Sequence, residues 1–560
     1  MRCLSLAAFL SLAIPSLAIS TPEQNGLLGT AAYPKIVREA EQARTARDFA
    51  KAAQLFEEAV KLNPVEGSAW ARLGRTYYDL KQYSKAIAPY AKAIELGSGF
   101  RWAHAYDIAC CYALDGKKAE AFEWLDESMK MGWRDLQHMR TDEDLVTLRE
   151  DPRFVEMAAT KDVSKMSRDE AWRYDLWLLD REIRRKHFNP YRYHSKQQFD
   201  AYVAKLRADI PKLADGQVMA AFMRLCAMCA DGHTGARPQD TAIKAAPIQM
   251  FWFREGIFVT AASPAHADLA GAKVLKVEGR LVEDIASQLR ALISRDNEMG
   301  TKSLAPLLMT VPALLHAMGI AQSPDKLTFA VLDSAGKSRE VTIEGGDARP
   351  TKEWATARKD AKSPEPLTLK DRDKPYWFEY LPERKLVWFQ YNSVRNDPQE
   401  STAKFAERLE KFVAENDVQR VVVDVRWNGG GNSFLNMPIL HAIVRMTKVN
   451  QPGRLFVITG RNTFSACMNF ATDLDMHTHA MFVGEPTGSS PNFIGETVRM
   501  TLPHSKMLVS ISDLYWGRGW PMDYRTWIAP SLYAPPVFEL YKANRDPAME
   551  AILSYLDENP

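Results

Sequence analysis

Little cysteine, almost no net charge and no long apolar run characterise this chain of 560 residues. Only six cysteines occur, and five remain if Cys3 leaves with an N-terminal leader. An oxidising compartment therefore permits disulfides, but an odd number cannot all pair within the chain. Cys226 and Cys229 form a C-x-x-C that could be redox-active or half of a zinc site. No second C-x-x-C or histidine pair follows at zinc spacing, and Ala230 stands where a c-type haem needs histidine. Both are read as buried residues of a helix, as are the adjacent Cys110 and Cys111. The formal net charge of +2 gives no argument for nucleic acid, a membrane surface or an acidic substrate. Past the leader no transmembrane segment is expected, since even Ala305–Ala321 contains Pro306, Pro312 and His316. No clustered metal ligands are visible, and neither metal nor cofactor is expected.

What is present is ordinary globular material, 46% hydrophobic and 25% charged, too long for one core and so expected to form two to four domains. Residues 1–20 read as a secretory signal peptide. They carry Arg2, an apolar run from Leu4 to Ile14, and small residues at Ser16, Ala18 and Ser20, with cleavage expected after Ala18 or Ser20. The run is short of the roughly 20 residues needed to span a bilayer, and no cysteine follows it to carry a lipid.

Residues 30–160 contain a repeat. Ala52, Phe56, Ala59 and Pro64 recur thirty-four residues later as Ala86, Tyr90, Ala93 and Ser98, and the second unit opens with Trp70, Leu73, Gly74 and Tyr77. A degenerate third copy runs through Ala105, Ile108, Ala109, Tyr112, Ala121, Leu125 and Ser128. This is the tetratricopeptide pattern of paired antiparallel helices, an all-α solenoid. It is either a docking platform for a protein partner or a structural cap on the domain behind it.

The most informative stretch runs from Arg420 to Glu496. Arg420–Val425 is an apolar run broken only by Asp424, ending in Gly429, Gly430 and Gly431. Leu455–Thr459 is a second buried-strand pattern, followed by a short turn and a segment of helical spacing that begins near Ser465. A helix N-terminus offers unpaired N–H groups and partial positive charge, and glycines let further N–H groups approach closely. A serine beside both donor sets suits acyl transfer. Ser465 or Thr463 could equally be a helix N-cap.

Upstream, residues 165–242 are helical, with Trp172, Leu176, Leu179 and Ile183 on one stripe and Phe199, Tyr202, Val203 and Leu206 on another, ending in Asp231-Gly-His-Thr234. Residues 243–346 read as strands Gly256–Thr260 and Gly271–Gly279, two helices within Val282–Met318, and a hairpin of Leu327–Leu332 with Val341–Ile343. Residues 347–375 read as a charged linker. From 376 to 560 strands alternate with helices, including Lys385–Tyr391 and Thr402–Glu415, which argues for a layered α/β domain.

Three pieces, Val423-Asp-Val-Arg-Trp-Asn-Gly-Gly-Gly431, Gly460-Arg-Asn-Thr-Phe-Ser-Ala466 and Val483-Gly-Glu-Pro-Thr-Gly488, resemble in order and spacing the tail-specific, or C-terminal-processing, serine peptidases. That group also includes the tricorn core protease and retinoid-binding repeats. The resemblance covers roughly residues 165 to 560. It implies a multidomain α+β region: a helical subdomain, a PDZ-like module over 243–346 and a crotonase-like catalytic domain over 376–560.

The resemblance further implies Ser465 as nucleophile, His233 as general base, and N–H groups of Gly430 and Ala466 as the oxyanion hole. It puts an acidic residue late in the chain behind the histidine, with Asp523 first and Glu496 and Glu485 behind it. Lysine-dyad members carry a catalytic lysine where Ser490 stands here, so a peptidase of this sequence must use His233. The family's closing Pro-Asp reads Pro530-Ser531. The implied substrate is a peptide or protein, and the implied location is the bacterial periplasm or exterior. A non-catalytic scaffold binding a peptide or apolar ligand, and an esterase, are the alternatives.

Overall fold

The computed structural model describes residues 27–239 and 243–559. The leader expected over 1–20 lies outside the described residues. Two compact units divide the chain, Met1–Lys161 and Asp162–Pro560.

The first unit is a helical repeat. Helices Leu27–Thr45, Phe49–Leu62, Gly67–Asp79, Tyr83–Glu95, Arg101–Leu114 and Lys118–Met131 follow one another through short turns, so neighbours run antiparallel. Small residues sit where helices cross: a Cβ on Gly74 would lie 2.9 Å from the Tyr90 ring. Ala40, Ala52, Phe56, Ala69 and Leu73 form one core cluster, and Ala86, Tyr90, Ala105 and Ile108 the next. Burying Phe56 completely contributes about 2–3 kcal/mol. Leu136–Thr141, Glu143–Leu148 and Pro152–Met157 close the unit over Trp133, Leu145 and Phe154.

The second unit opens with helices Arg168–Lys186, Lys196–Asp209 and Asp215–Ala227. The first two start at capping boxes, Ser167 with Glu170 and Ser195 with Gln198. Cys226 lies in the last turns of the third helix and Cys229 just beyond its end; these two, Cys110, Cys111 and Cys467 are all buried free thiols.

An antiparallel sheet follows in the order Ile248–Phe253, Gly256–Ala262, Lys273–Val277, Lys326–Leu332, Ser338–Glu344. Between its strands the 282–318 stretch forms three helices, not two: Val282–Leu289, Glu298–Leu308 and Pro312–Ala317. Pro312 cannot continue a helix and instead starts a new one at its first position. The stretch read as linker is tied down as well. Ala355–Thr356 pairs with Ala261–Ala262, and Trp354 is buried.

A six-stranded sheet carries the rest, ordered Leu532–Tyr533, Met481–Gly484, Leu455–Thr459, Arg420–Asp424, Leu386–Tyr391, Tyr376–Leu381. All neighbours are parallel except the last pair. Side-chain alternation splits its residues between two cores. Val421, Val423 and Phe389 face Phe405, Ile439 and Phe470 from helices Thr402–Glu415, Asn436–Arg445 and Ala466–His477. Val422, Phe456 and Trp388 face Ile552 and Leu556 of helix Pro547–Glu558. Burial on both faces is why these strands read as unbroken apolar runs. Among the described residues no helix is long and apolar enough to cross a membrane.

Candidate active site

The glycine loop leaves the C-terminal end of strand Arg420–Asp424, and the turn to Ser465 leaves the same end of its neighbour Leu455–Thr459. Open α/β sheets bind ligands outside these strand ends. Ser465 is the residue before helix Ala466–His477, yet its side chain makes no capping hydrogen bond. Thr463 does not cap either, since its hydroxyl donates to the Val425 carbonyl at 3.1 Å and accepts from the Gly460 N–H. The backbone of Ser465 stands at φ 54°, ψ −127°, a region that side chains rarely adopt and that costs of order 1–3 kcal/mol. The turn is held by Phe464 N–H donating to the Asn428 carbonyl at 3.1 Å and by Asn436 Nδ2 donating to the Ala466 carbonyl at 2.8 Å.

Gly430 lies directly against this turn. At φ +106° it takes a conformation open to glycine, and a Cβ there would lie 2.7 Å from Ser465 Cβ and 2.8 Å from the Ala466 nitrogen. Its own N–H, however, donates to Asn428 Oδ1 at 2.9 Å. Of the two expected oxyanion donors, the Ala466 N–H stands at the helix start beside the serine, and the Gly430 N–H is already engaged.

His233 arrives from 232 residues upstream. Its turn precedes strand Gly235–Arg237, which pairs antiparallel with Leu508–Ile511, so the late segment of the chain carries the histidine to the serine. The imidazole Nε2 lies 2.9 Å from Ser465 Oγ. The ring is sandwiched between Phe464, with centroids 4.4 Å apart, and Phe493, at 5.6 Å and 7° from parallel. Burial in this slot lowers the histidine's pKa, while the Asp231 charge and the main chain of Ile494 act in the opposite sense. Nδ1 is buried and makes no hydrogen bond of normal geometry among the described residues.

Asp231 builds the turn. Its Oδ1 accepts the His233 N–H at 2.8 Å, the Thr234 N–H at 2.7 Å and the Ser512 hydroxyl at 2.6 Å, and its Oδ2 lies 2.8 Å from His187 Nε2. Burial alone raises a carboxyl pKa, but the bonds from His187, Ser512 and Thr234 outweigh it and hold Asp231 below its ordinary value. On the other side Asp296 accepts the Gly232 N–H at 2.9 Å and the Ser489 hydroxyl. Three successive N–H groups, 232 to 234, thus point at two carboxylates.

The structure does not bring Asp523 to the imidazole. Its carboxylate is bound by Arg525, with Nε–Oδ1 at 3.0 Å and NH2–Oδ2 at 2.8 Å, because the two side chains sit two residues apart on one turn. Glu485 is locked in a buried pair with Arg461 at 2.7 Å, and Glu496 is exposed. Ser490 donates to the Thr526 carbonyl at 3.2 Å. Asp231, His187, Ser512, Phe464 and Phe493 are given no role by the sequence reading. Only Asp231 carries a local cue, the Asp-Gly turn pair two residues before the histidine.

A cavity of about 470 Å³ lies between the edge strand Ile248–Phe253 and the strand ends at Gly460 and Gly484, and neither Ser465 nor His233 lines it. Phe251, Trp427 and Met250 give it apolar walls, and Arg372 and Arg461 line it too.

The tetratricopeptide repeat family model matches residues 37–99. No curated protein matches the chain. Among solved structures, mature CPAF complexed with lactacystin aligns with a TM-score of 0.50 at 11% identity, covering 70% of this chain and 97% of that one. Over the matched 70% of the chain the fold is similar to that of mature CPAF. A crystal structure of mature CPAF aligns at 0.48, with 12% identity and coverage of 70% and 96%. The photosystem II D1 C-terminal processing protease aligns at 0.33, with 13% identity and coverage of 68% and 97%. The architecture is a helical repeat region followed by an α/β region with several sheets.

Proposed function

We propose that the protein is a serine-type peptidase acting outside the cytoplasm, and the observation that carries this reading is the 2.9 Å separation of His233 Nε2 and Ser465 Oγ. His233, kept neutral by burial, takes the hydroxyl proton as Ser465 Oγ attacks the scissile carbonyl. The Ala466 N–H and the helix N-terminus stabilise the oxyanion, with the Gly430 N–H joining when it leaves Asn428. His233 then gives the proton to the leaving amine, and water releases the acyl group by the same steps in reverse. The Asp231 charge supports the imidazolium through space and fixes the turn; Asp523 is left out of the proton path. The strained Ser465 backbone fits a nucleophile held for attack. An extended chain would lie along the edge strand Ile248–Phe253, with side chains in the adjoining cavity.

The test is digestion of a reduced, unfolded protein beside peptide and ester substrates, comparing wild type with Ser465→Ala. Peptide-bond cleavage lost in the variant supports the reading, and cleavage retained in a clean variant preparation overturns it. Ester cleavage alone would reassign the substrate from an amide to an ester. One observation favours a non-catalytic scaffold, the Gly430 N–H engaged by Asn428. That reading requires that neither substrate turns over.

A further inference from the structure

We propose that Asp296 is a positioning residue of the site: its carboxyl group joins the turn that carries His233 to the segment that braces the Ser465 turn, and so sets the distance between base and nucleophile. This rests on the peptidase reading and adds to it a residue from another part of the chain. Asp296 stands between helices Val282–Leu289 and Glu298–Leu308, in the stretch inserted between strands of the antiparallel sheet. Its Oδ1 accepts the Gly232 N–H at 2.9 Å, and its Oδ2 accepts the Ser489 hydroxyl.

Each end of this link leads to one reacting group. Gly232 precedes His233, and its main chain is wedged in place: a Cβ there would lie 2.6 Å from the Phe464 ring, which stacks on the imidazole, and 3.4 Å from Asp296 Oδ2. Ser489 follows Gly488, whose N–H donates at 3.0 Å to the carbonyl of Thr463, two residues before Ser465. A Cβ on Gly488 would lie 2.2 Å from the Arg461 carbonyl oxygen, so the segment lies flush against the nucleophile's turn. With the 2.9 Å contact between His233 Nε2 and Ser465 Oγ these bonds close a ring, in which Asp296 connects the side of the base to the side of the nucleophile.

Fastening alone does not require this carboxyl group. Asn297 Nδ2 donates to the Thr487 and Thr526 carbonyls at 3.1 and 2.7 Å, and the Ser303 hydroxyl donates to Asn462 Oδ1 at 2.8 Å, so neighbours of Asp296 already tie its helix to the α/β region. What Asp296 adds is the bond to the turn of the base. A desolvated carboxyl group opposes folding unless its hydrogen bonds outweigh the loss of water, and both bonds of Asp296 run to the site. Reacting groups must be held to roughly 0.5 Å of the productive geometry, and an error of about 1 Å can cost about 10²-fold in rate. Without Asp296 the His233 turn keeps its bonds to Asp231 on one side and loses its support on the other.

The test is the reaction of the full chain with a fluorophosphonate probe, followed from low to saturating probe, for wild type, Asp296→Ala, Asp296→Asn and Ile285→Ala, each shown to be folded by circular dichroism. Asp296→Ala should slow adduct formation at saturating probe at least about tenfold and leave the apparent affinity for the probe unchanged, because the attack geometry changes and the seat of the probe does not. Asparagine keeps an acceptor for the Gly232 N–H and a polar partner for the Ser489 hydroxyl, so Asp296→Asn should recover most of the lost rate. Ile285→Ala empties a fully buried position in the core behind the antiparallel sheet; it should melt lower and still react within about threefold of wild type. Where Asp296→Ala does not fold, Ser489→Ala cuts the other end of the same link and should be slowed in the same way. A folded Asp296→Ala or Ser489→Ala that reacts as wild type does, an Asp296→Asn as slow as the alanine variant, or an Ile285→Ala slowed as much would overturn the role of Asp296 and leave the peptidase reading standing. A wild type that does not react overturns that reading, and this role with it.

Discussion

Neighbouring glycines of one loop should respond in opposite ways to the same methyl group. Gly430→Ala places a Cβ 2.7 Å from Ser465 Cβ and 2.8 Å from the Ala466 nitrogen, with the Phe464 carbonyl oxygen at 3.0 Å. Those atoms are the backbone and Cβ of the nucleophile turn, so none can swing aside cheaply. The φ of +106° adds a penalty for an L side chain of about 1–2 kcal/mol. The methyl group also covers the Ala466 N–H, and loss of one oxyanion donor typically costs about 10²–10³ in rate. Gly429 has nothing within 4 Å of its built Cβ and no left-handed φ. We expect Gly430→Ala to react with a fluorophosphonate probe at least about 100-fold more slowly and to melt below wild type, while Gly429→Ala melts close to it. Gly429→Ala should react within about threefold of wild type, a difference under 1 kcal/mol. The assay is the second-order rate of adduct formation, with circular dichroism as the folding check. Gly430→Ala reacting at the wild-type rate, or Gly429→Ala losing as much, would refute the geometric reasoning.

Other expectations rest on the same geometry. Asp231→Ala strips acceptors from His187, Ser512 and two N–H groups, and should destabilise by about 3–5 kcal/mol in chemical denaturation. Asp523→Ala removes only a partly exposed pair with Arg525 and should leave the probe reaction within about threefold of wild type; a loss of about 100-fold would restore it to the proton path. The reactive form needs neutral His233, and its folded pKa is lowered, so the pH–rate profile should rise with a midpoint below 6.5. Phe464→Ala, by wetting the ring, should move that midpoint upward, and a midpoint above 7 in wild type would contradict the burial argument. Burial pushes the Asp296 carboxyl up to about 7. The folded state therefore holds a proton the unfolded chain has released, and its stability falls as pH rises from the ordinary carboxylate range through 7. Asp296→Asn escapes this loss, so its melting temperature relative to wild type should be higher at pH 8 than at pH 5. A difference that does not move with pH would count against it.

How much is legible in one dimension depends on the range of the interaction. Strands Arg420–Asp424 and Leu455–Thr459 are readable because burial on both faces writes continuous apolar runs. The repeat is readable because each crossing needs a small residue at a fixed period, as Gly74 against Tyr90 shows. Motif resemblance places the glycine loop and the Ser465 turn more than spacing does, since a cap and a nucleophile look alike in one dimension. Asp523 misleads because motif position says nothing about Arg525 taking the carboxylate two residues later. Asp231 and Ser512 stand 281 residues apart, and nothing local in either announces their bond. The break at Thr310–Val311 escapes a reading by apolar period, which does not weigh Pro312.

The most direct measurement is intact-mass and peptide mapping of a fluorophosphonate adduct on wild type, Ser465→Ala and His233→Ala, each shown to be folded. A single adduct on Ser465 is expected in wild type and none in either variant. A folded wild type that stays unmodified, or an adduct that persists when Ser465 is alanine, would contradict it.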